Sequence, residues 1–413
     1  MPTRNVLIVG SSLAGLHTAE ALRARGYDGA ITMVDAEPEP RYDRPPLSKD
    51  YLSKDHLSAE RPAGDGPLLR SPAALAVLGA DWHLGDAAVS LNPRGREIGL
   101  ASGRMLGYDK LVIATGVSPA WPAAWRIPSA VTLRTRGDAD RLRAKMTRGT
   151  RLAVIGAGFI GLEVAATFRS LDVEVDVVEA EQAPLTRQLG PVVGRAVQAM
   201  HAARGVRFHL GTRVTAVRQN PDSDGDSDGD SDGAGCQVEL RGGAVIAADV
   251  LLVAVGSAPA VGWLRGSGLD LDNGIACDGH LLAAPDVYAV GDVARWPHPL
   301  AGRPVRIEHW TNAVEQAAHV ARRITDAGGA SEPFAPVPYF WSDQYGSKLQ
   351  AYGFPGPADE VEVVAGDLDG GRFAALYRNG GRLTAAVGIG SPRQVLAGRR
   401  QLVADLAAEG ALS

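Results

Sequence analysis

Short apolar runs alternate with longer segments of helical periodicity along the first part of the chain. Residues 5–9 form an apolar run, residues 13–24 have helical periodicity, and residues 31–34 form a second apolar run. The same order returns in a second set of segments, at residues 151–155, 159–171 and 173–178. A strand, a helix and a strand in this order predict a β-α-β unit. Two such units predict two doubly wound domains instead of one large domain.

Two further apolar runs indicate where the chain crosses between these domains. The runs at residues 110–114 and 250–254 each lead into a glycine turn, at Gly116 and Gly256. We therefore expect a first domain that is discontinuous in sequence, with the second domain inserted into it. The predicted boundaries are 1–117 and 250–324 for the first domain, 118–249 for the second and 325–413 for the third.

Beyond about residue 325 the pattern changes to an alternation of apolar and polar positions, which is typical of antiparallel strands. The runs at residues 361–364 and 373–377 are bounded by Asp-Gly and Asn-Gly-Gly turns, and residues 391–408 predict a final helix. The third domain is therefore α+β. As a whole the chain is predicted to be an α/β protein with two Rossmann-like dinucleotide-binding domains and a C-terminal α+β domain.

Composition and charge exclude several classes of protein. The chain has 413 residues, of which 45% are hydrophobic, and six aspartates between residues 222 and 233 account for its net charge of -5. This balance predicts neither a nucleic acid nor an anionic membrane as a partner. The sequence contains no run of about 18 apolar residues and no signal-peptide layout, so we expect a cytoplasmic protein. Cys236 and Cys277 are far apart, which predicts neither a disulfide framework nor a zinc site.

The aspartate-rich tract at residues 222–233 has two interpretations. Its repeated charges and glycines leave nothing to bury, which predicts a disordered hairpin loop. Asp224, Asp226, Asp228 and Gly229 also match the beginning of a calcium-binding loop of the EF-hand type. Gly235 stands at the twelfth position, where that loop requires a glutamate. The pattern therefore favours the loop, and no bound metal is expected.

A glycine-rich fingerprint follows the first apolar run. Gly10 permits a tight turn, Gly15 lets the helix approach the strand, and the beginning of the helix, with Leu13 and Ala14, can receive a pyrophosphate. Ser12 occupies the middle position, where glycine would allow the closest approach. Asp35 ends the next strand, where an acid is expected to bind a ribose.

A second fingerprint is complete and stands in the same context. Gly156, Gly158 and Gly161 follow a strand and open a helix, and Glu179 ends the following strand. Because Glu179 would accept hydrogen bonds from ribose hydroxyls and repel an additional phosphate, NADH is favoured over NADPH. Arg187 is the candidate that would favour NADPH, but it lies beyond the end of the strand.

Further motifs carry a resemblance to a known family. Gly291 and Asp292, in the sequence Val-Gly-Asp-Val-Ala, resemble the FAD signature of pyridine-nucleotide flavoproteins with two dinucleotide folds. Within that superfamily, residues 42–49, 308–316 and 338–345 resemble the oxygenase-coupled ferredoxin reductases, the group of putidaredoxin reductase and the biphenyl dioxygenase reductase. The tryptophan-serine-aspartate-glutamine core at residues 341–344 is the most specific of these. The resemblance identifies the first domain as the FAD domain and the second as the NAD domain.

The resemblance also implies roles for individual residues. Lys49 would lie near the reactive N5 edge of the flavin, and Glu163 would pair with Lys49 and face the nicotinamide. Glu308 and Trp310 would lie beside the isoalloxazine ring, and His309 would pack or form a hydrogen bond there. The remaining implied FAD contacts are Arg44, Val89, Ala114, Thr115, Gly116, Gly291 and Asp292, and the remaining NAD contacts are Phe159, Ile160, Val255 and Gly256.

The absence of cysteine near the first fingerprint bears on the acceptor of the electrons. Residues 36–60 contain no cysteine, whereas disulfide reductases of the superfamily place a cysteine pair there. Electrons must then leave FAD directly, and two cysteines are too few to hold an iron-sulfur cluster in this chain. We therefore predict a separate 2Fe-2S ferredoxin as the partner, serving a cytochrome P450 or Rieske oxygenase. Arg393, Arg399 and Arg400 are weak candidates for docking it and are more typical of ordinary helix-face charges.

Two alternatives remain open from the sequence. One is a ferredoxin-independent reductase of quinones or other small molecules, since the same flavin site would serve it. The other is a redox-sensing flavoprotein without appreciable turnover, similar to the apoptosis-inducing factor branch. Patterns along the chain are compatible with a monomer or a homodimer.

Overall fold

The computed structural model describes residues 4–38, 41–53, 66–220, 235–326 and 332–408. Residues 222–233, with both interpretations of the aspartate-rich tract, lie outside this range. In the part of the chain that is described, no helix is both long enough and apolar enough to cross a bilayer.

The first domain is built on a six-stranded sheet. In spatial order its strands are β19 (Leu282–Ala284), β20 (Val287–Ala289), β7 (Lys110–Ile113), β1 (Asn5–Val9), β2 (Ala30–Asp35) and β3 (Asp81–Leu84). All neighbours pair in parallel except β19 and β20. Helix α1 (Leu13–Ala24) follows β1 and packs against helix α6 (Trp310–Thr325). The apolar run of β1 is buried, as a central parallel strand requires.

The second domain repeats this plan with five parallel strands. In spatial order they are β12 (Arg207–His209), β11 (Glu174–Val178), β10 (Arg151–Ile155), β16 (Val250–Val253) and β9 (Ala130–Val131). Helices α4 (Phe159–Arg169) and α5 (Thr186–Ala202) belong to the same unit. Because β16 pairs with β10 and β9, the predicted boundary at residue 250 is several residues too early. The buried run of β16 completes the second sheet before the chain returns.

The two crossings between these domains lie side by side. Strand β8 (Val117–Pro119) follows Gly116, strand β17 (Ser257–Pro259) follows Gly256, and the two strands pair antiparallel. Both glycines have positive φ angles, +66° and +112°, which glycine adopts without strain. The two glycine turns therefore precede a pair of neighbouring strands that connect the two sheets.

The third domain is a five-stranded antiparallel sheet covered by a helix. In spatial order its strands are β23 (Tyr339–Gln344), β24 (Ser347–Gly353), β27 (Arg382–Ile389), β26 (Arg372–Asn379) and β25 (Glu360–Asp367), and the helix is α7 (Pro392–Ala408). Phe340, Phe373 and Tyr377 of this sheet share one hydrophobic core with Phe168 and Val193 of the second domain. The third domain is thus packed firmly against the second.

Smaller elements complete the chain. One small sheet contains β4 (Ala88–Asn92), β5 (Glu97–Leu100) and β6 (Met105–Gly107). A second contains β13 (Val214–Gln219), β14 (Cys236–Leu240) and β15 (Val245–Ala248). A third contains β18 (Ile275–Ala276), β21 (Ala294–His298) and β22 (Arg303–Arg306). The short helices are α2 (Pro72–Val77) and α3 (Arg136–Ala144), and a 3₁₀ turn covers Pro45–Ser48. This last turn contributes to the site described below.

Candidate active site

A cavity of about 1170 Å³ lies at the carboxyl ends of the two parallel sheets. This is where open α/β sheets bind their ligands. Phe340 and Trp341 of the third domain close part of its wall. The predicted site residues that line the cavity are Ser12, Leu13, Ala14, Arg44, Lys49, Ala114, Thr115, Gly116, Gly156, Gly158, Phe159, Ile160, Glu163, Glu179, Val255, Gly256, Gly291, Asp292, Glu308, His309 and Trp310.

The first glycine-rich turn has no room for a side chain at two of its positions. Gly10 has a φ of +97°, and a Cβ there would lie 2.4 Å from the carbonyl oxygen of Ala114. A Cβ on Gly15 would lie 1.8 Å from the carbonyl oxygen of Gly10. Both glycines stand behind the cavity wall and shape the turn. Ser12, which occupies the middle motif position just before α1, lines the cavity together with Leu13 and Ala14.

The second turn has the same construction. Gly156 has a φ of +102°, and a Cβ there would lie 2.3 Å from the carbonyl oxygen of Ala254. A Cβ on Gly161 would lie 2.3 Å from the carbonyl oxygen of Gly156, so Gly161 also stands behind the wall. Gly158 is different because no atom lies within 4 Å of where its Cβ would be. This open space lets a ligand approach the backbone at the beginning of α4.

Besides the three glycines behind the wall, two predicted contacts are not part of the cavity lining. Asp35 sits behind the first turn, where its carboxylate accepts hydrogen bonds from the backbone N–H groups of Ser11 at 2.6 Å and Glu37 at 2.9 Å. It also pairs with Arg41 at 2.9 Å. Val89 is on β4 with 51% of its surface exposed. The carboxylate of Asp35 thus braces the turn, Val89 lies in a small outer sheet, and their contacts with FAD stay predictions.

Lys49 and Glu163 form a buried ion pair at the cavity. The distance from Lys49 Nζ to Glu163 Oε2 is 2.6 Å, and their side chains are 15% and 6% exposed. The hydroxyl of Ser48 donates to the same carboxylate oxygen at 2.6 Å. The hydroxyl of Ser342, from the third domain, donates to the other oxygen, Oε1, also at 2.6 Å. Three donors thus satisfy one buried carboxylate, which offsets the cost of removing it from water.

Backbone contacts fix the position of Lys49. Its Nζ also donates to the carbonyl oxygen of Pro45 at 3.0 Å, within the same 3₁₀ turn. The hydroxyl of Thr167 on α4 donates to the carbonyl oxygen of Ser48 at 2.9 Å. The turn is therefore tied to the helix that also carries Glu163, and the pair is held from both sides.

A second group of polar side chains surrounds Arg44. Its guanidinium pairs with Glu37 at 2.8 Å and donates to the carbonyl oxygen of Arg134 at 2.7 Å. The hydroxyl of Tyr42 donates to Glu37 at 2.5 Å, and burial raises the pKa of Tyr42 to about 12. Tyr42 is therefore a neutral donor at physiological pH, and the group holds Arg44 in the wall.

Asp292, in the predicted FAD signature, faces a cation that the sequence reasoning missed. Arg134 Nη2 lies 3.1 Å from Asp292 Oδ2, and both residues line the cavity. Burial raises the pKa of Asp292, and the charge of Arg134 opposes that shift. No motif surrounds Arg134 in the sequence, since it follows the short edge strand β9 by a few residues.

His309 and Trp310 lie at the beginning of α6. Trp310 Nε1 donates to Asp43 Oδ1 at 3.1 Å. Burial lowers the pKa of His309 to about 4, so this side chain is neutral. Its ring lies 4.7 Å from that of Phe340, and its Nδ1 has no hydrogen-bond partner among the described residues. A buried ring nitrogen at the wall without a protein partner fits a cavity whose polar contacts are completed by a cofactor.

An aromatic series extends from the cavity across the third domain. The rings of Trp310 and Trp341 are 6.2 Å apart, and that of Tyr339 is 5.9 Å from Trp341. Lys348 Nζ lies 5.6 Å from the centre of the Trp341 ring. Arg393, Arg399 and Arg400 are exposed on α7, as ordinary helix-face charges would be.

Comparison with known proteins agrees with this geometry. Residues 4–317 match the family model described as pyridine nucleotide-disulphide oxidoreductase, and residues 339–411 match one described as reductase C-terminal. The chain belongs to the pyridine nucleotide-disulphide oxidoreductase family. The fold class predicted from the sequence and the superfamily resemblance are confirmed. The cofactors of this family, FAD and a nicotinamide nucleotide, are the two that the fingerprints predict.

Members of the family that are similar over nearly the whole chain include two reductases of known systems. Rhodocoxin reductase of Rhodococcus erythropolis is 35% identical over 97% of this chain and 90% of its own length. The ferredoxin–NAD(+) reductase component of the anthranilate 1,2-dioxygenase system of Burkholderia cepacia is 39% identical, over 96% and 94%. Among solved structures, the covalent putidaredoxin reductase–putidaredoxin complex is similar, with a TM-score of 0.87 and 31% identity over 97% of this chain and 93% of that one.

Proposed function

We propose that this member of the oxidoreductase family is an NADH-dependent ferredoxin reductase of an oxygenase system. It takes a hydride from NADH onto FAD and passes electrons singly to a 2Fe-2S ferredoxin that serves a cytochrome P450 or a Rieske oxygenase. The observation that carries the proposal is the buried Lys49–Glu163 pair in a cavity that both glycine-rich turns enter. Its relatives include ferredoxin reductase components, which supports the same reading.

The residues present fit both cofactors. The beginning of α1 with Ser12, and Asp292 with Arg134, would hold FAD. The open backbone at Gly158 and the carboxylate of Glu179 would hold NADH. FAD supplies the chemistry, accepting an electron pair and releasing single electrons, while the protein supplies position and charge.

The ion pair has a definite part in this function. Lys49 places a cation at the wall, where it can balance negative charge that arrives with the electrons. Glu163 keeps that cation in place, because its carboxylate is held by two hydroxyls besides Lys49. Neither side chain needs to form a covalent bond.

The route of electrons out of the protein follows from the cysteines. Both are free thiols; Cys236 is buried in β14, and neither lines the cavity. Burial raises the pKa of Cys236 to about 11, which keeps it an unreactive thiol. With no thiol pair at the cavity, we infer direct transfer to a separate acceptor. The cytoplasm is the compartment that this function requires, since NADH and reduced thiols are found there.

The decisive experiment measures cytochrome c reduction by the purified holoprotein with NADH or NADPH, with and without a 2Fe-2S ferredoxin. We expect rapid reduction with NADH only when ferredoxin is present. Rapid consumption of NADH by a quinone or oxygen, with no effect of ferredoxin, would replace the proposal with a small-molecule reductase. Negligible turnover with every acceptor would favour a redox-sensing protein.

A matched pair of variants tests the assignment of the site. Lys49→Met should lower the rate of flavin reduction by NADH, measured by stopped-flow absorbance, by about one hundredfold. Lys145→Met removes the same charge from the end of α3, away from the cavity wall, and should leave the rate unchanged. Equal rates in the two variants would contradict the role of Lys49.

A further inference from the structure

We infer that Ser342, Gln344 and His201 are positioning residues, which act through Glu163 as one directed chain of hydrogen bonds. This hydrogen-bond chain begins in the third domain and on α5, and it ends on the carboxylate of Glu163, which holds Lys49. The effect of these hydrogen bonds on activity rests on the proposed function of the Lys49–Glu163 pair. The energetic coupling between the residues does not depend on that function.

Four hydrogen bonds compose the chain. Ser342 Oγ lies 2.6 Å from Glu163 Oε1, and Gln344 Nε2 lies 3.0 Å from Ser342 Oγ. His201 Nε2 lies 2.7 Å from Gln344 Oε1, and the hydroxyl of Tyr345 lies 3.0 Å from His201 Nδ1. Ser342 and His201 are fully buried and Gln344 is 3% exposed, so water does not compete for these contacts.

The chemistry of the groups gives every bond the same direction. A carboxylate can only accept, so Ser342 must donate its hydroxyl proton to Glu163. The oxygen of Ser342 then accepts from the amide of Gln344, and the amide oxygen of Gln344 accepts from the N–H at Nε2 of His201. This places the ring acceptor at Nδ1, opposite the hydroxyl of Tyr345. Each donor therefore points toward Glu163.

The charges around the chain are consistent with this direction. Burial lowers the pKa of His201 to about 4, with a contribution in the same direction from Arg204, so His201 is neutral. The guanidinium of Arg204 lies 4.5 Å from the centre of the Tyr345 ring, at the outer end of the chain. At the inner end, the charged or donating groups facing Glu163 are Lys49, Ser48 and Ser342. Aligned hydrogen bonds polarise one another and strengthen the last one.

Two consequences follow for Glu163. The carboxylate is held in one orientation, because its acceptor sites are already filled by aligned donors. Its Oε1 is also fixed by a residue of the third domain, while Oε2 is fixed by Ser48 and Lys49 of the first domain. Glu163 itself belongs to the second domain, so the chain joins all three domains at one carboxylate.

The first test compares Ser342→Ala with Tyr377→Phe in the holoprotein. Both remove a buried hydroxyl between the third domain and the second, since the hydroxyl of Tyr377 donates to the carbonyl oxygen of Leu189 at 2.7 Å. We expect Ser342→Ala to lower the rate of flavin reduction at saturating NADH, measured by stopped-flow absorbance, by about tenfold, the size expected for one lost hydrogen bond to a charged group. Tyr377→Phe should lower the melting temperature without changing that rate.

Two further variants follow the chain itself. Ser342→Thr keeps the hydroxyl and should restore the wild-type rate of flavin reduction. Gln344→Met is nearly isosteric and removes the second link, so it should lower the rate by a smaller factor than Ser342→Ala does. An unchanged rate in both Ser342→Ala and Gln344→Met would overturn the inference.

A thermal double-mutant cycle needs no turnover. Ser342→Ala should lower the melting temperature in the wild-type background and lower it much less in a Glu163→Gln background, because the charged acceptor has then been removed. Additive changes in melting temperature would show that Ser342 and Glu163 are not coupled and would overturn the inference. If the protein failed to reduce ferredoxin but the cycle were non-additive, the proposed function would be wrong and the coupling through the hydrogen bonds would still hold.

Discussion

In both nucleotide-binding domains an acid at the end of the second strand braces the glycine-rich turn, but the surroundings of the two acids differ. Asp35 accepts from the backbone N–H groups of Ser11 and Glu37, at 2.6 and 2.9 Å. Glu179 accepts from those of Ala157 and Glu181, at 2.8 and 3.0 Å. Each acid therefore ties the end of a second strand to a turn that follows a first strand.

The two acids differ in whether a cation pairs with them. Arg41, which is 5% exposed, pairs with Asp35 behind the first turn. Among the described residues no cation pairs with Glu179, whose carboxylate lines the cavity; Arg187 pairs with Glu181 instead, at 3.4 Å. The comparison teaches that an acid at the same motif position pairs with a cation in one domain and lines the cavity without one in the other, according to its neighbours among the described residues.

The largest effect should come from Asp35→Asn. The substitution removes the counter-charge of the buried Arg41 guanidinium, a loss of about 3 kcal/mol in stability. We expect the purified variant to have lost FAD, measured by its absorbance, and to melt at a lower temperature in calorimetry. Glu179→Gln in a parallel preparation should retain FAD. An Asp35→Asn protein with full flavin content and normal melting would show that the two acids are equivalent.

The next effect should come from Gly156→Ala. A φ of +102° and a carbonyl oxygen 2.3 Å from the added Cβ should together cost at least about 2 kcal/mol and distort the second turn. FAD should remain bound while the KM for NADH rises steeply. Gly158→Ala is the control for folding, because its Cβ meets open space: normal melting with a raised KM is expected. Loss of FAD from Gly156→Ala would mean that the two turns are not independent.

A pH effect of about 2 kcal/mol should come from a buried histidine in the first domain. Burial lowers the pKa of His298 to about 4, whereas the unfolded chain binds this proton near pH 6.5. Its contribution to stability is therefore complete above pH 6.5 and is lost as the pH falls toward 4. At pH 5 the loss is about 2 kcal/mol.

The variant His298→Gln can still donate to the carbonyl oxygen of Pro336 and takes up no proton. It should therefore lose about 2 kcal/mol less than the wild type between pH 7 and pH 5 in denaturant titrations. Equal losses in the variant and the wild type would contradict the prediction.

The smallest effect should come from Glu179→Gln. It keeps an acceptor for the N–H of Ala157 and removes the charge that would repel the additional phosphate of NADPH. The ratio of kcat/KM for NADPH to that for NADH should rise about tenfold. Glu174→Gln, off the cavity wall in the same domain, should leave the ratio unchanged. An unchanged ratio in Glu179→Gln would indicate that another residue selects the nucleotide.

Local patterns predicted most of the fold. Helix α1 has the predicted bounds, α7 begins one residue after the predicted start, and both glycine turns precede the neighbouring strands that connect the two sheets. The family resemblance of residues 42–49 led to the Lys49–Glu163 pair, which the structure brings to 2.6 Å. These features depend on residues that are neighbours in sequence or on motifs that can be compared directly.

The sequence by itself determined the two turns, because positive φ angles and close backbone contacts require glycine at fixed spacing. Only the tertiary structure decided which charges meet. Lys49 is 114 residues from Glu163, Ser342 is 179 residues from it, and Arg134 reaches Asp292 across 158. Such partners are brought together by domain packing, which produces no periodic pattern in the sequence. Asp35 and Glu179, equivalent in the sequence pattern, differ because Arg41 folds back onto Asp35 within the first domain, whereas Arg187 pairs with Glu181 in the second.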